Sequence, residues 1–343
     1  MIRKIISAIL FIFGIQLGLS QLFNKTNVDN YLNELAETNK FMGSVAVLRD
    51  DDIIDTHSTG FSNKEKQILP NDKTTYGIGS ISKVFTSALI LKAIEERKLT
   101  LSTTLNGYFP SIKNSDKITI ENLLNHRSGI HNFTNDQDFL EWNTQNKSED
   151  EMLQIITNGG SDFKPNSKAE YSNSNYVLLS YILERIYQKS YSDILAEKIV
   201  NKLGLRHTYF GNNINDTNES QSYKFNEIWV KQTQTNPSIP LGAGAIFSTP
   251  TDLTKFISAL FKRKIISKKS LELMITMKDN FGYGIFEIPF KQRIAYGHTG
   301  GIDGFNSVLA YFPKEKISIA IISNGNNYDI NKVLSEIESN VFE

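Results

Sequence analysis

Cysteine is absent from the 343-residue chain. Its absence excludes a disulfide framework, a zinc ribbon, an iron–sulfur cluster, a cysteine nucleophile and a lipid-modified cysteine anchor. An excess of one charge is absent too, because 37 lysines and arginines balance 37 aspartates and glutamates. Without a basic excess, the chain lacks the electrostatic attraction of a nucleic-acid binder or a polybasic membrane protein. With 40% hydrophobic residues and only 8 prolines, the composition indicates a neutral, folded protein.

The first twenty residues have the pattern of a secretory signal. Arg3 and Lys4 form a positive start, residues 5–19 are mostly apolar, and Ser20 ends a small-residue cleavage pattern. The alternative is an uncleaved membrane anchor, but about 15 residues at ~1.5 Å each span roughly 22 Å, short of the ~30 Å hydrocarbon core. We therefore expect cleavage after Ser20, no membrane span in the mature protein, and a periplasmic or secreted location.

Hydrophobic periodicity places strands towards both ends of the chain and helices between them. Strand patterns occupy residues 42–49 and 53–60 and several segments after residue 283, whereas helical pieces and loops fill 101–210. Segments that alternate in this way join in one sheet when the early and late strands pair. We therefore expect an α+β fold in which one sheet is built from both ends of the chain and flanked by helices.

Two segments carry more specific expectations. Residues 80–98 have one apolar stripe at helical spacing and predict an amphipathic helix. Residues 211–238 are rich in polar side chains and predict a surface excursion. Together with the strand pattern, they predict one domain over residues 21–343, with a mostly helical subdomain inserted at roughly 101–240.

Ser80 and Lys83 are spaced to lie on one face of a helix, where side chains at i and i+3 are about 5–6 Å apart. A serine becomes a strong nucleophile when a neighbour accepts its proton, and a partly buried lysine with a lowered pKa can do so. Alone the pattern is weak. Ser161 and Lys164 repeat it in a loop, and an ordinary helix serine beside a surface lysine would also explain it.

Two further motifs carry polar chemistry. Tyr171 and Asn173 stand just before a helical pattern, where a phenol can shuttle a proton and an amide can bind a substrate amide. The last motif ends a strand and enters a glycine-rich turn, and consists of His298, Thr299, Gly300 and Gly301. Glycines let a backbone approach a ligand closely, and an adjacent N–H can complete an oxyanion hole.

The order of the three motifs resembles the serine β-lactamase and penicillin-recognising enzyme superfamily. The similarity is greatest to the branch of class C β-lactamases, D-alanyl-D-alanine carboxypeptidases, D-aminopeptidases and related esterases. Residues 123–129 (LLNHRSG), 171–179 (YSNSNYVLL) and 242–249 (GAGAIFST) are similar to further segments of that superfamily. The resemblance covers roughly residues 28–340 and implies a β-lactamase/transpeptidase-like fold with an antiparallel sheet.

The resemblance also implies roles for the motif residues. Ser80 would attack a carbonyl and become acylated, while Lys83 and Tyr171 handle its proton and later activate water or another acceptor. The substrate-binding residues would be Asn173, on the acyl-side amide, His298 and Thr299, on the leaving or carboxylate side, and the turn residues Gly300 and Gly301. The backbone N–H groups of Ser80 and Gly301 would form the oxyanion hole. Neither a metal nor an organic cofactor is implied.

His298 departs from the lysine that β-lactamases and many related peptidases carry at this point. Histidine, with a usual pKa near 6.5, holds a carboxylate less firmly than lysine at neutral pH. Efficient β-lactamase activity is therefore less expected than general acyl transfer. If protonation of His298 strengthens carboxylate binding, KM should rise as the pH passes from about 5.5 to 7.5.

The remaining candidates leave alternatives open. The substrate could be a cell-wall peptide of D-amino acids, a β-lactam or a small ester, so an esterase of the same fold is one alternative. A catalytically silent penicillin-recognising sensor is another. His126, His131 and Asp136 lack the spacing of a metal site. Four aromatic residues could line the cleft or simply pack, and these are Phe133, Trp142, Tyr223 and Trp229.

Overall fold

A computed structural model describes residues 24–213 and 216–342. The predicted signal at residues 1–20 lies outside the described residues. The helices are α1 (Lys25–Glu37), α2 (Ser82–Glu95), α3 (Ile120–Leu124), α4 (Phe139–Trp142), α5 (Glu149–Gly159), α6 (Asn173–Tyr187), α7 (Tyr191–Leu195), α8 (Asn201–Leu203), α9 (Pro250–Phe261), α10 (Lys268–Ile275) and α11 (Ile330–Phe342). One π-helical turn, Ala196–Val200, joins α7 to α8. No helix among the described residues is long and apolar enough to cross a membrane.

The strands form one large sheet and one small one. The strands are β1 (Phe41–Arg49), β2 (Asp52–Thr59), β3 (Tyr76–Gly77), β4 (Tyr209–Phe210), β5 (Tyr223–Asn226), β6 (Ile228–Lys231), β7 (Ile246–Ser248), β8 (Phe286–Pro289), β9 (Ile294–Ile302), β10 (Phe305–Phe312) and β11 (Ile317–Asn326). The large sheet has the order β2-β1-β11-β10-β9-β8, and its neighbours pair antiparallel. The small sheet has the order β3-β7-β4. Strands from both ends of the chain therefore meet at the centre of the large sheet, as predicted.

The central strands are buried on both faces because helices cover each side. In β11, Ile319 and Ile321 pack towards α1 and α11, whereas Ala320 and Ile322 face the core that contains α2, α6 and α9. The alternation follows from the two-residue period of a strand, which sends successive side chains to opposite faces. One sheet thus separates two hydrophobic cores.

The helix predicted at 80–98 forms, but the prediction that it is amphipathic is wrong. It forms as α2, but almost all of its residues are buried, so it has no broad polar face. Its polar side chains are satisfied inside the protein: the Thr86 hydroxyl donates to the carbonyl of Gly242 at 2.7 Å and is bonded to the Tyr191 hydroxyl. Serine and threonine tolerate burial when they are hydrogen-bonded. A helix in the core can therefore contain polar residues among apolar ones.

The described part of residues 211–238 has more regular structure than the predicted surface excursion. They contain the hairpin β5–β6, and Tyr223 of β5 is buried and pairs with Gly325 of β11. A Cβ built on Gly304 would lie 2.6 Å from the Tyr223 nitrogen, so the hairpin packs directly onto the β9–β10 turn. The proposed division into residues 21–343 with a subdomain at 101–240 stays a prediction.

Candidate active site

Ser80 lies in a short 3-10 turn, Gly79–Ile81, which leads from β3 into α2. Gly79 has a φ of +51°, and a Cβ built there would lie 2.7 Å from the Gly301 nitrogen. Only glycine fits this close approach without strain. The turn therefore fixes Ser80 beside the end of β9, where Gly301 lies.

Lys83, one helical turn later, is fully buried and makes three hydrogen bonds through its Nζ. These reach the Ser80 hydroxyl at 2.9 Å, the Asn173 side-chain oxygen at 2.8 Å and the Ala243 carbonyl at 2.7 Å. Burial lowers the pKa of Lys83 well below its ordinary value of 10.5. The Asn173 and Ala243 oxygens only accept hydrogen bonds, so a neutral Lys83 keeps two protons on them and presents its lone pair to Ser80.

Tyr171 is the second side chain in contact with the Ser80 hydroxyl. Its hydroxyl donates to the Ser80 Oγ at 2.6 Å, and its ring centroid lies 4.9 Å from the Lys83 Nζ. Burial raises the pKa of Tyr171 above its ordinary value of 10, although the bond to Ser80 opposes the shift. Tyr171 is therefore a neutral phenol that supplies a hydrogen bond rather than a resident phenolate.

Asn173 is the first residue of α6 and is held at both ends. Its backbone N–H donates to the Asn132 side chain at 2.9 Å, and its side-chain amide nitrogen donates to the Thr134 hydroxyl at 3.1 Å. These bonds orient the amide so that its oxygen faces Lys83. A segment near residue 132, which carried no sequence signal apart from Phe133, thus positions the predicted binding residue.

The glycine-rich end of β9 is placed by close backbone contacts. A Cβ on Gly300 would lie 2.1 Å from the Ile78 carbonyl oxygen and 2.3 Å from the Ser307 Oγ, whereas a Cβ on Gly301 would meet nothing within 4 Å. Gly301 and Thr299 are exposed, and Gly301 lines the cleft at Ser80. The strand therefore holds the Ser80 turn with Gly300 and presents Gly301 to a ligand.

His298 lies behind the cleft wall, with only 2% of its surface exposed. Its Nδ1 donates to the Thr299 carbonyl, and its ring packs 4.5 Å from that of Phe286. Burial, the larger cause, and the proximity of Lys83 lower the pKa of His298 to about 3. The expectation that His298 changes charge between pH 5.5 and 7.5 is wrong, because its environment keeps the imidazole neutral.

A second buried histidine, His126, supports Tyr171. Their ring centroids are 4.5 Å apart, and the His126 Nδ1 accepts a hydrogen bond from the Ser172 N–H at 3.2 Å. Burial lowers the pKa of His126 well below its ordinary value. His131 points elsewhere and bonds to Asp136 and Asp162, each at 3.0 Å. Within the described residues, no group of three or more histidine and carboxylate side chains is placed to hold a metal.

A cleft of about 690 Å³ opens at Ser80. Its wall includes Asn173 and Gly301, and also Phe133, which was one of the four aromatic candidates. The other three pack instead: Trp142 against Phe133 and Phe139, Tyr223 in a buried position, and Trp229 against Phe225. The cleft is thus open to a small molecule or the end of a polymer.

Asp303 and Thr235 are among the lining residues that escaped the sequence analysis. Asp303 lies two residues after the His298–Gly301 motif and could have been found from that position. Thr235, its hydrogen-bond partner, stands in a polar segment without periodicity and gave no signal.

Comparisons with known proteins give relatives that agree with one another. A family model described as Beta-lactamase matches residues 28–334. A teichoic acid D-alanine hydrolase from Staphylococcus aureus is 27% identical over 308 residues, which are 88% of this chain and 74% of the hydrolase.

Solved structures share the fold. D-amino acid amidase from Ochrobactrum anthropi SV3, complexed with L-phenylalanine amide, has a TM-score of 0.83 at 22% identity, over 92% of this chain and 97% of the amidase. A D-stereospecific amidohydrolase from Streptomyces sp. has a TM-score of 0.79 at 24% identity, over 91% of this chain and 98% of its own. The chain therefore has the mixed α and β architecture of these hydrolases.

Proposed function

The chain belongs to the beta-lactamase family of serine hydrolases, and we propose that it cleaves ester or amide bonds of D-aminoacyl groups through an acyl-enzyme on Ser80. The observation that carries this proposal is the position of the Ser80 Oγ in the lining of an open cleft, 2.9 Å from the Lys83 Nζ and 2.6 Å from the Tyr171 hydroxyl that donates to it. Relatives named for D-alanine and D-amino acid substrates support the choice of acyl group.

The proposed acylation begins at Lys83. The neutral amine takes the proton of the Ser80 hydroxyl while the Oγ–carbon bond forms at the substrate carbonyl. Burial favours this role because it lowers the pKa of Lys83. The backbone N–H groups of Ser80 and Gly301 would stabilise the oxyanion, a placement supported by the close contact between Gly79 and Gly301.

Tyr171 would complete the proton transfer. As the bond to the leaving alcohol or amine breaks, the phenol donates its proton to the leaving atom and regains one from the Lys83 ammonium nearby. In the second half, water attacks the acyl carbon, its proton passes to the same pair, and the Ser80 oxygen leaves as a hydroxyl. The protons balance, and no other group is required.

The test is turnover of D-alanine methyl ester and D-alaninamide, beside their L counterparts, with matched serine variants. Ser80→Ala should lose at least about 10³-fold in kcat, because it removes the nucleophile. Ser161→Ala is the control, since Ser161 has the same spacing to a lysine but bonds to the Phe163 carbonyl in a distant loop. Similar turnover by wild type and Ser80→Ala would contradict the proposal.

Lys83 offers a second arm of the same test. Lys83→Arg keeps a long basic side chain but replaces a titratable amine with a group that stays protonated, so it should abolish acylation even at high pH. A rapid-quench mass spectrum that shows a wild-type acyl adduct and none on this variant would support the base role.

We also propose that the protein is exported. Support comes from the positive start, apolar run and small-residue site within residues 1–20. When the full-length chain is expressed in a bacterial host with an intact secretion system, the intact mass of the exported protein should correspond to a chain that begins at Gln21. A product that stays in the cytoplasm with residues 1–20 attached would contradict export.

A further inference from the structure

The cleft at Ser80 has two charged side chains in the described part of its lining, Asp303 and Lys224. Asp303 lies in the two-residue turn between β9 and β10, because Ile302 pairs with Phe305. It is the acidic residue of that lining. Lys224 stands on β5, where it is exposed to water.

The Asp303 carboxylate is held in one orientation. One of its oxygens accepts a hydrogen bond from the Thr235 N–H at 3.0 Å, and the other accepts from the Thr235 hydroxyl at 2.7 Å. The backbone of Asp303 has a φ of +55°, a conformation that costs a non-glycine residue free energy and is more common in aspartate and asparagine than in other side chains.

The carboxylate also keeps unused capacity. A carboxylate offers about four acceptor positions, and Thr235 occupies two of them. Among the described residues, no cationic side chain lies within ion-pair distance of Asp303. Burial raises the pKa of Asp303, although the hydrogen bonds from Thr235 and, less strongly, the charge of Lys224 oppose the shift. A partly desolvated carboxylate of this kind favours a cationic ligand.

The dimensions of an aminoacyl group suit this position. Its ammonium nitrogen is about 2.5 Å from the acyl carbon, because a single carbon separates them. Gly301, whose nitrogen lies against the Ser80 turn, is two residues from Asp303, a distance of about 6–7 Å along a strand. The rest of the distance between the acyl group and the Asp303 backbone is covered by the aspartate side chain and an ammonium–carboxylate hydrogen bond of about 2.8 Å.

We propose that Asp303 binds the α-ammonium of the acyl group, so that the enzyme prefers D-aminoacyl substrates with a free amino group over N-acylated peptides and β-lactams. The inference rests on the proposed function, and it adds the residue that sets the substrate class. An N-acylated substrate lacks the positive charge and leaves the Asp303 carboxylate without a cation. A free aminoacyl group supplies that cation.

The first experiment compares D-alanine methyl ester with N-acetyl-D-alanine methyl ester. Asp303→Asn should raise KM for the free amine about tenfold or more, with little change in kcat, and should leave both constants for the N-acetyl ester unchanged. Lys224→Gln is the matched control: it also removes a charge from the cleft, and it should not raise KM for the free amine. Equal losses on both esters would assign Asp303 a merely structural role and overturn the inference.

The second experiment separates this inference from the proposed hydrolysis. In a Ser80→Ala background, calorimetry should show that Asp303→Asn weakens binding of D-alaninamide about tenfold and leaves N-acetyl-D-alaninamide unaffected. If the wild type hydrolyses neither ester but binding still depends on Asp303 in this way, the proposed function fails and the Asp303 inference stands. If Asp303→Asn leaves D-alaninamide binding unchanged, the inference is overturned whatever the turnover.

Discussion

At the scale of single residues, the neutrality of His298 has a consequence for stability. In the folded protein its pKa is about 3, whereas in an unfolded chain it is near 6.5. The unfolded state therefore binds more protons between these values, and stability decreases as the pH falls below about 6.5. The buried His126 acts in the same direction.

We predict that His298→Gln makes the unfolding free energy less dependent on pH below about 6.5. One fewer titrating group should reduce the loss of unfolding free energy by up to about 1.4 kcal/mol per pH unit, or about 2–3 kcal/mol between pH 6.5 and 4.5. Urea unfolding at the two pH values measures it. An unchanged slope in the variant would show that His298 is already charged in the folded state.

The neutrality of His298 also changes the prediction for the pH dependence of KM with carboxylate substrates. Because the imidazole does not titrate between pH 5.5 and 7.5, it cannot produce a rise of KM for carboxylate substrates over that range. The sequence motif placed His298 beside the nucleophile, but burial, which decides its charge, depends on packing against Phe286 and on nearby Lys83.

Residue spacing also explains how much of the site could be predicted. The contact between Ser80 and Lys83 agrees with their i, i+3 spacing, although Ser161 and Lys164 share that spacing in a loop. Tyr171 is 91 positions from Ser80, and its approach follows from the tertiary fold, so the sequence supplied it only through a family resemblance. Asp303 was missed because an aspartate in a hairpin turn has an ordinary structural explanation.

At the scale of elements, β9 and the turn before α2 are locked together at Gly300. The Ser307 hydroxyl donates to the Ile78 carbonyl at 2.9 Å, and a Cβ on Gly300 would overlap both groups. Any side chain there pushes the turn that carries Ser80 away from β9. The contact therefore links strand packing to the position of the nucleophile.

We predict that Gly300→Ala lowers kcat by about 10²-fold or more, because a displacement of roughly 1 Å at the reacting atoms has that effect. It should also lower the Tm. Gly301→Ala is the control for stability, since its added methyl group meets no protein atom within 4 Å. A Gly300→Ala enzyme with wild-type kcat and Tm would show that the two elements move independently.

Element prediction succeeded where the period was clear and failed where it was not. The strands near both ends alternate in hydrophobicity and formed as expected, with end shifts of a few residues. The helix α2 was predicted to be amphipathic from one apolar stripe, yet its polar residues Ser82, Thr86 and Ser87 are buried as well. Hairpin β5–β6 was missed because it lies within a longer segment that is polar overall, and its position depends on contact with β11 and Gly304.

At the scale of the whole molecule, the two cores share the same central strands. Val45 and Ile321 belong to the core under α1 and α11, while Ala320 and Ile322 belong to the core that includes α2. Loss of either core removes the support of the sheet on that side. We therefore expect the two cores and the sheet between them to unfold as one cooperative unit.

Ile337→Ala tests this expectation from the core farther from Ser80. Ile337 is fully buried on α11, and its truncation should lower the unfolding free energy by about 2–5 kcal/mol. Far-UV circular dichroism, tryptophan fluorescence and residual activity should shift to lower temperature together, whereas the exposed Ser335→Ala on the same helix should shift none of them. Separate transitions would instead support an independent subdomain at 101–240.

The pairing of β1 with β11 sets an order of events during synthesis. Strand β1 emerges early from a ribosome, but its neighbour β11 is made only after almost all of the chain. Until then the sheet lacks its central strand, and no partial product can complete it. A nascent chain of this topology therefore cannot complete its central sheet until translation has passed β11.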